Sequence, residues 1–349
     1  MIMGIKISGK TIAPNKPCFI IAEAGVNHNG SVKLAKKLVD EAKKAGADAV
    51  KFQTFNTEEL VTKNAKQAKY QEKNSPAKSQ YEMLKKLELS ESEFKNLFDY
   101  CKRKKIIFLS TPFDFKSAEF LYRLGVTAFK IGSGDLTNIP LLMQIAKYNK
   151  PIILSTGMAT LPEIKKTVVA IYSTCNKQLI LLHCTSNYPT NYEDVNLRAM
   201  ITLRKKFNVP VGYSDHTKGV EVAIAAVSLG ACVIEKHLTL DKNLKGPDHK
   251  SSLEPVELKK MVETIRNVEL SMGNGVKVPR DSEVALKRTS RKSIVAQEDI
   301  KKDTKLTKEM LSIKRPGIGI KPEYINKIVG KRAIKNIKRD ELIKLKMLV

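Results

Sequence analysis

From Cys18 to about Gly273, short apolar runs alternate with stretches whose apolar residues recur at helical spacing. The runs read CFIIAEAG, AVKFQ, IIFLS, AFKIG, PIILS, LILLHC, VPVGYS and CVIEK. Brief, nearly continuous apolar runs rich in β-branched residues suit strands that are covered on both faces, as in a parallel sheet. Between the first two runs, Val32, Ala35, Leu38, Val39 and Ala42 share one face of a helix that starts near Ser31 and stops at Gly46. Ser90 and Glu93 form a capping box that opens another helix. Val220, Ala223, Ile224 and Val227 mark a third between Gly219 and Gly230, the latter placed for a left-handed C-cap. A last helix runs from Pro255, with its proline in the first turn, to about Gly273. The segment between AVKFQ and Ser90 reads as a long polar loop. Eight βα units in one unbroken series predict an α/β fold, a (β/α)8 TIM barrel, whose active site lies at the C-terminal ends of its strands.

Every predicted strand delivers polar groups at that end. In order they are Glu23 with Asn27 and His28; Lys51 and Gln53; Ser110 and Thr111; Lys130 and Ser133; Ser155 and Thr156; His183 with Ser186 and Tyr188; Ser214 and His216; Glu235 and His237. All five histidines, His249 included, fall at strand ends or in the loops after them, and together they are read as one site. His216 and His237 close successive strands, so on neighbouring parallel strands they converge closely enough to share one divalent metal. Lys51 and Lys130 point ammonium groups into a low-dielectric mouth, which is costly without an anion. That anion is either a ligand or a structural carboxylate, Glu23 or Glu235. Ser133, Ser155 and Ser214, with the backbone amides of Gly132 and Gly134, are donors of the kind that hold phosphate or carboxylate. Together these groups favour a small, multiply anionic ligand beside a metal.

Beyond Gly273 the alternation ends. Residues 274–288 form a polar linker, and 289–349 hold short strand-like runs with an imperfect repeat, in which Ala296 to Asp303 (AQEDIKKD) is echoed by Ala333 to Asp340 (AIKNIKRD). Two copies predict a small pseudo-symmetric β-rich domain. Between the copies, KRPGIG places Arg315 on a Pro-Gly turn as a solvated charge or a recognition arginine.

Composition changes little. The chain of 349 residues is 42% hydrophobic and 28% charged, as expected of a globular enzyme. No apolar run reaches the roughly 18 residues that span a membrane, and the start, MIMGIKISGK, lacks the pattern of a signal peptide. Five scattered cysteines without a CxxC pair suit reduced thiols, so a cytoplasmic location is expected. The net charge of +26 raises a nucleic-acid partner. However, the lysines sit on polar helix faces without interleaved aromatic platforms, so no nucleic-acid or membrane partner is expected.

The motifs IAEAGVNHNG, GADAVKFQTF, FLSTPFD, FKIGSGD, ILSTGM, LLHCTSNYPT, GYSDHT, ACVIEKH, GPDHKSSLEP and KRPGIG occur in the order they have in the sialic acid synthase family, which the chain resembles nearly end to end. The resemblance implies a TIM barrel over residues 1–273 joined to a C-terminal antifreeze-like (SAF) domain over 289–349, working as a domain-swapped homodimer. It implies condensation of phosphoenolpyruvate with an N-acylated mannosamine-type sugar and water, giving a nine-carbon nonulosonic acid and phosphate. By position, it makes His216 and His237 ligands of a divalent metal, Mn2+ or Mg2+. It sets Lys51, Lys130, Ser133, Ser155, Ser186 and Ser214 around phosphoenolpyruvate, and Glu23, Gln53, Tyr188 and Asp248 near the sugar. Arg315 then meets the N-acyl group in the partner subunit's site. Glu23, Lys51, His216 and His237 are the catalytic set this implies.

The first reading of the acceptor is N-acetylmannosamine, giving N-acetylneuraminate. Its alternative is 2,4-diacetamido-2,4,6-trideoxymannose, giving N,N'-diacetyllegionaminate, because Phe52 and His249-Lys250 resemble legionaminic acid and animal-type synthases more than the bacterial sialate pattern KHQTH. A phosphoenolpyruvate aldol synthase for a phosphorylated sugar and a non-catalytic carbohydrate-binding protein of polysaccharide assembly are the rival readings.

Overall fold

In the computed structural model, which describes residues 2–75 and 77–349, each of the eight apolar runs contains a strand. A hairpin that the sequence reading did not anticipate comes first, β1 (Ile5–Ile7) and β2 (Lys10–Ile12). The eight runs follow as β3 (Phe19–Gly25), β4 (Ala49–Thr54), β5 (Ile107–Pro112), β6 (Phe129–Ile131), β7 (Ile152–Ser155), β8 (Leu179–Cys184), β9 (Val211–Asp215) and β10 (Val233–His237). They form one parallel sheet in the order β5-β4-β3-β10-β9-β8-β7-β6. Strand β5 lies beside β6 without a hydrogen-bonded ladder, so the barrel is nearly closed.

Side chains alternate across each strand, and here both faces are buried for different reasons. Ile20, Val50, Phe108, Ile152, Leu181 and Ile234 face the helices in the larger core. The other parity points into the barrel. There Phe19, Ile21, Ala49, Leu109, Ile153 and Val233 pack with Ile5, Ile7 and Ile12 of the hairpin. These barrel residues lie toward the N-terminal ends of their strands, so the hairpin plugs that end. Continuing the same inward parity up each strand reaches Glu23, Lys51, Lys130, Ser155, Ser214 and Glu235, all buried. The barrel floor is therefore hydrocarbon and its upper layer is charged.

The helices follow the predicted signals. Ser31 caps Val32–Lys44, the Ser90 capping box opens Glu91–Lys104, and the last barrel helix is Pro255–Met272. Two expectations need correction. The stretch after β4 is not one long loop, because Thr57–Leu60, Lys69–Asn74 and Gln80–Leu87 are helical. The polar segment expected as a linker over 274–288 carries most of a helix, Asp281–Ser290.

The chain divides at Gly273, and Asn274–Val349 forms the second unit. In it β11 (Ser293–Ala296) pairs with β12 (Leu311–Lys314) in antiparallel fashion. The two repeat copies bond to each other through equivalent positions. Ile300 N–H donates to the Ile337 carbonyl and Ile337 N–H returns the bond, both at 2.8 Å. Asp303 N–H reaches the Ala333 carbonyl at 2.7 Å, and its counterpart Asp340 N–H reaches Ala296 at 2.8 Å. Asp303 and Asp340 share a φ of 66°, the left-handed conformation that Asp tolerates better than most residues. The repeat is thus a pseudo-two-fold exchange of hydrogen bonds around a core that includes Ile294, Ile300, Ile337 and Ile343.

Candidate active site

At the C-terminal mouth of the barrel, adjacent strands place Glu23 opposite Lys51 and opposite His237. Lys51 Nζ lies 2.7 Å from Glu23 Oε2 and 3.7 Å from Glu235 Oε2, and donates to Thr111 Oγ1 at 3.0 Å. Lys130 Nζ donates to Ser155 Oγ at 2.8 Å and sits 3.4 Å from Glu235 Oε1, which also accepts from Ser214 Oγ at 2.9 Å. Gln53 Nε2 donates to Glu23 Oε1 at 3.1 Å. The structural-carboxylate alternative for the lysines therefore holds in this state: two ammonium groups balance two carboxylates in one buried quartet.

The two carboxylates are not equivalent. Burial pushes the Glu23 carboxyl up to about 7 against the pull of Lys51. Burial also acts on Glu235, but there Lys130 and Lys51 outweigh it and bring the group down to about 2. Glu23 Oε2 has the Lys51 ammonium as its one polar neighbour, so this buried carboxyl, which titrates near neutral pH, keeps a lone pair without a partner. Burial lowers Lys130 from the ordinary lysine range. Lys51 rises instead, since Glu23 and Glu235 overcome its burial.

Beside the quartet, two hydroxyls and a thiol crowd against the backbone of Gly157. A Cβ built on Gly157 would stand 2.3 Å from Ser186 Oγ, 2.8 Å from Cys184 Sγ and 2.9 Å from Ser133 Oγ, so only glycine lets these side chains approach so closely and form a polar cradle. Gly157 N–H points inward and donates to Ser133 Oγ at 3.0 Å. Cys184 pairs in register with Ser214, which joins this cradle to the charged layer.

His216 and His237 come together with ring centroids 5.5 Å apart. Burial lowers both imidazoles from their ordinary range, and for His237 the neighbouring His216 adds to the effect. Nδ1 of His216 lies 2.8 Å from the Thr185 carbonyl, which can only accept, so the neutral ring carries its proton there and its Nε2 lone pair is free. Nδ1 of His237 is buried without a partner. Two neutral imidazoles, one with an orphaned nitrogen, fit a divalent metal that keeps positions open for substrate oxygens. Among the described residues no group of three or more His, Cys, Asp or Glu side chains converges.

The ring of Tyr188 lies 4.2 Å from His216 and 5.2 Å from Tyr70, centroid to centroid. Past it opens a cavity of about 540 Å³ lined by Lys69, Tyr70, Asn74, Ser186, Tyr188 and Lys250, among others. Asp248 is buried nearby, its carboxyl raised to about 6 by burial against the pull of Lys51. Its negative charge, after burial, helps raise the Tyr70 phenol.

The barrel thus gathers Glu23, Lys51, Gln53, Lys130, Ser133, Ser155, Ser186, Tyr188, Ser214, His216 and His237, with Asp248 against the same mouth. The reading of five histidines as one site is corrected. His183 takes the outward parity beside Tyr213, with Nε2 2.7 Å from the Val195 carbonyl. His249 is fully buried between Thr239 Oγ1 at 2.6 Å and Asn29 Oδ1 at 3.1 Å. His28 accepts from Gly30 N–H and packs on Phe52. Arg315 lies in the second unit, exposed just after β12. Sequence reasoning passed over Cys184, Gly157 and Tyr70, and ranked Glu235 only as a partner for lysine. Strand parity carried the missing signal for two of them: Glu235 is two residues before His237, and Cys184 two after Leu182.

The sequence matches the NeuB family model over residues 38–277 and the SAF domain model over 291–349. It is 50% identical to the N,N'-diacetyllegionaminic acid synthase of Legionella pneumophila, over 96% of this chain and 95% of that protein. It is 49% identical to the Campylobacter jejuni protein of the same name, over 94% of this chain and 99% of that one. The crystal structure of the N-acetylneuraminic acid synthetase of Leptospira borgpetersenii superposes with a TM-score of 0.73 at 39% identity, covering 82% of this chain and 95% of that one. With relatives this similar along almost their whole length and a family model spanning most of the barrel, the chain is an enzyme of the NeuB family that carries a SAF domain at its C-terminal end.

Proposed function

We propose that this enzyme condenses phosphoenolpyruvate with an open-chain N-acylated amino sugar and water, releasing phosphate and a nonulosonic acid. The observation that carries this reading is one barrel mouth that gathers hydroxyls around Gly157, two buried lysines, a carboxyl that titrates near neutral pH and a pair of neutral imidazoles. The Ser133, Gly157 and Ser186 cradle receives the phosphate, and Lys130, whose ammonium form burial disfavours despite Glu235, gains a dianion as partner. Ser155, and Ser214 once its hydroxyl turns from Glu235, complete the anion's donors, and Lys51 lies between its carboxylate and Glu23. Manganese or magnesium held by His216 and His237 would supply Lewis acidity to the sugar's aldehyde oxygen. The enol carbon of phosphoenolpyruvate bonds to the aldehyde carbon, and the aldehyde oxygen takes up a proton as a hydroxyl. Positive charge left on the adjacent carbon is met by water, whose proton passes to the open oxygen of Glu23. The bond from that carbon to the bridging oxygen then breaks while the new hydroxyl gives up its proton to the departing phosphate, so a ketone forms and phosphate leaves the cradle whole. Gln53 holds Glu23 in place through its other oxygen.

Of the two acceptors, the names of the Legionella and Campylobacter relatives favour 2,4-diacetamido-2,4,6-trideoxymannose. The lower identity to the sialic acid synthetase gives less support to N-acetylmannosamine. Arg315, exposed on its turn, is assigned to the N-acyl group in the partner's site of a domain-swapped homodimer. Residues 1–273 are assigned to the synthase barrel and 289–349 to the SAF domain. Free cysteines at all five positions support a reducing, cytoplasmic setting. The test is phosphate release from phosphoenolpyruvate with manganese and each sugar offered separately, with products identified by mass. Release with a product of diacetyllegionaminate mass is expected; a metal-loaded, folded enzyme that turns over neither sugar would overturn the reading.

A further inference from the structure

The proposed reaction fixes one end of the acceptor. Its aldehyde carbon must lie between the histidine pair and the enol carbon, so the rest of the sugar runs away from His216 along the Tyr188 ring. The row of rings His216, Tyr188, Tyr70, with centroid steps of 4.2 Å and 5.2 Å, gives that direction. It leads toward the cavity of about 540 Å³, whose wall includes Tyr70, Asn74, Lys250 and Ser251. Carbons 4 to 6 of the acceptor therefore reach this wall, and these are the carbons at which the two candidate sugars differ.

Two charged groups with no side-chain hydrogen-bond partner among the described residues stand at this end: Lys250 lines the cavity, and Asp248 lies buried close enough to Tyr70 and Tyr188 for its charge to help raise both phenols. Asp248 has a buried carboxylate that takes no hydrogen bond, although its backbone carbonyl accepts from Ser252 Oγ at 2.7 Å. Lys250, exposed at the rim, makes neither an ion pair nor a hydrogen bond. Between them His249 is locked by Thr239 and Asn29, so the backbone that presents both neighbours is held rigidly. A carboxylate can only accept and an ammonium can only donate. An amide needs both, an acceptor for its N–H and a donor for its carbonyl oxygen. A hydroxyl gains less from the pair, and a phosphate dianion gains the lysine but meets repulsion from Asp248.

Resting on the function proposed above, we infer that Asp248 and Lys250 form a clamp for a second acylamino group, at carbon 4 of the acceptor, and that Lys250 is a specificity-determining residue. Asp248 accepts the amide N–H from the buried side, beside the tyrosines, and Lys250 closes over the carbonyl oxygen from the rim. The stacked tyrosines supply an apolar wall for the acyl methyl and for a deoxy carbon 6.

The experiment compares kcat/KM for 2,4-diacetamido-2,4,6-trideoxymannose, N-acetylmannosamine and N-acetylmannosamine 6-phosphate in the full chain and in Lys250→Ala and Lys250→Ser. Lys250 is exposed, so both variants should fold, which circular dichroism checks. The wild type should prefer the diacetamido sugar, and each variant should cut the ratio of diacetamido sugar to N-acetylmannosamine by about tenfold or more, the loss expected for one charge-assisted hydrogen bond. The loss should fall mainly on KM. An unchanged ratio in an enzyme that does turn over these sugars would overturn the clamp alone. A wild-type preference for the 6-phosphate that is lost in the variants would show that Lys250 reads phosphate instead. Failure of the wild type with all three sugars would remove the clamp together with the reaction it serves.

Discussion

Glu23 is the residue on which acid–base chemistry depends. A carboxyl raised to about 7 can take a proton from water at neutral pH and release it again, whereas Glu235, at about 2, stays an anion throughout. Only the deprotonated form of Glu23 is a base, so kcat/KM should fall as pH drops below about 7. Glu23→Gln should lower kcat by roughly 10²- to 10⁴-fold and remove that acidic limb; a limb that persists in the variant would assign the titration to another group. The same shift acts on stability with the opposite sign. The folded chain holds this proton to higher pH than the ordinary 4.5, so the group's contribution is full below that value and is lost as pH rises through about 7. Residues such as Lys51, Lys130 and His216 could be picked out in the sequence because several charges and imidazoles close successive apolar strands, although His183 shows that one such residue alone can be structural. Gly157 and Cys184 were not legible, because their contribution is shape: one lets side chains pack on its backbone and the other links two strands.

Among the elements, the hairpin β1–β2 shows how a barrel separates stability from chemistry. Ile7 is fully buried against the floor of the barrel, at the opposite end from Glu23 and His237. Ile7→Ala should therefore destabilise the fold by about 2–5 kcal/mol while leaving KM for phosphoenolpyruvate within error, measured by urea unfolding and initial rates. A large rise in KM would mean that the plug and the mouth are coupled. The eight barrel strands and the capped helices could be read because burial on both faces and capping chemistry leave local signatures. The hairpin is too short for periodicity to register, since each strand has only three residues. The helices within 57–87 were masked by their polarity, although Ser79 does cap one of them through the Glu82 N–H.

At the scale of the whole molecule, one chain carries two folds with different logic. The barrel alternates strand and helix, whereas residues beyond Gly273 use a duplicated segment whose copies exchange hydrogen bonds at Ile300 and Ile337. The duplication was legible because both copies keep the isoleucine that pairs and the aspartate that turns. What local patterns could not supply was the grouping of histidines, because parity decides which of them faces the mouth, and His183 has the wrong parity. The proposed reaction has a single oxygen on which it turns. If water adds to carbon at Glu23 and phosphate departs from the cradle whole, the bridging oxygen of phosphoenolpyruvate leaves with phosphorus. The most direct measurement is turnover of phosphoenolpyruvate labelled with ¹⁸O at that bridging position, with mass analysis of the phosphate released. Condensation as proposed here predicts label in the phosphate; unlabelled phosphate, with water oxygen on phosphorus instead, would mean that the phosphorus–oxygen bond breaks and that Glu23 does not direct water to carbon.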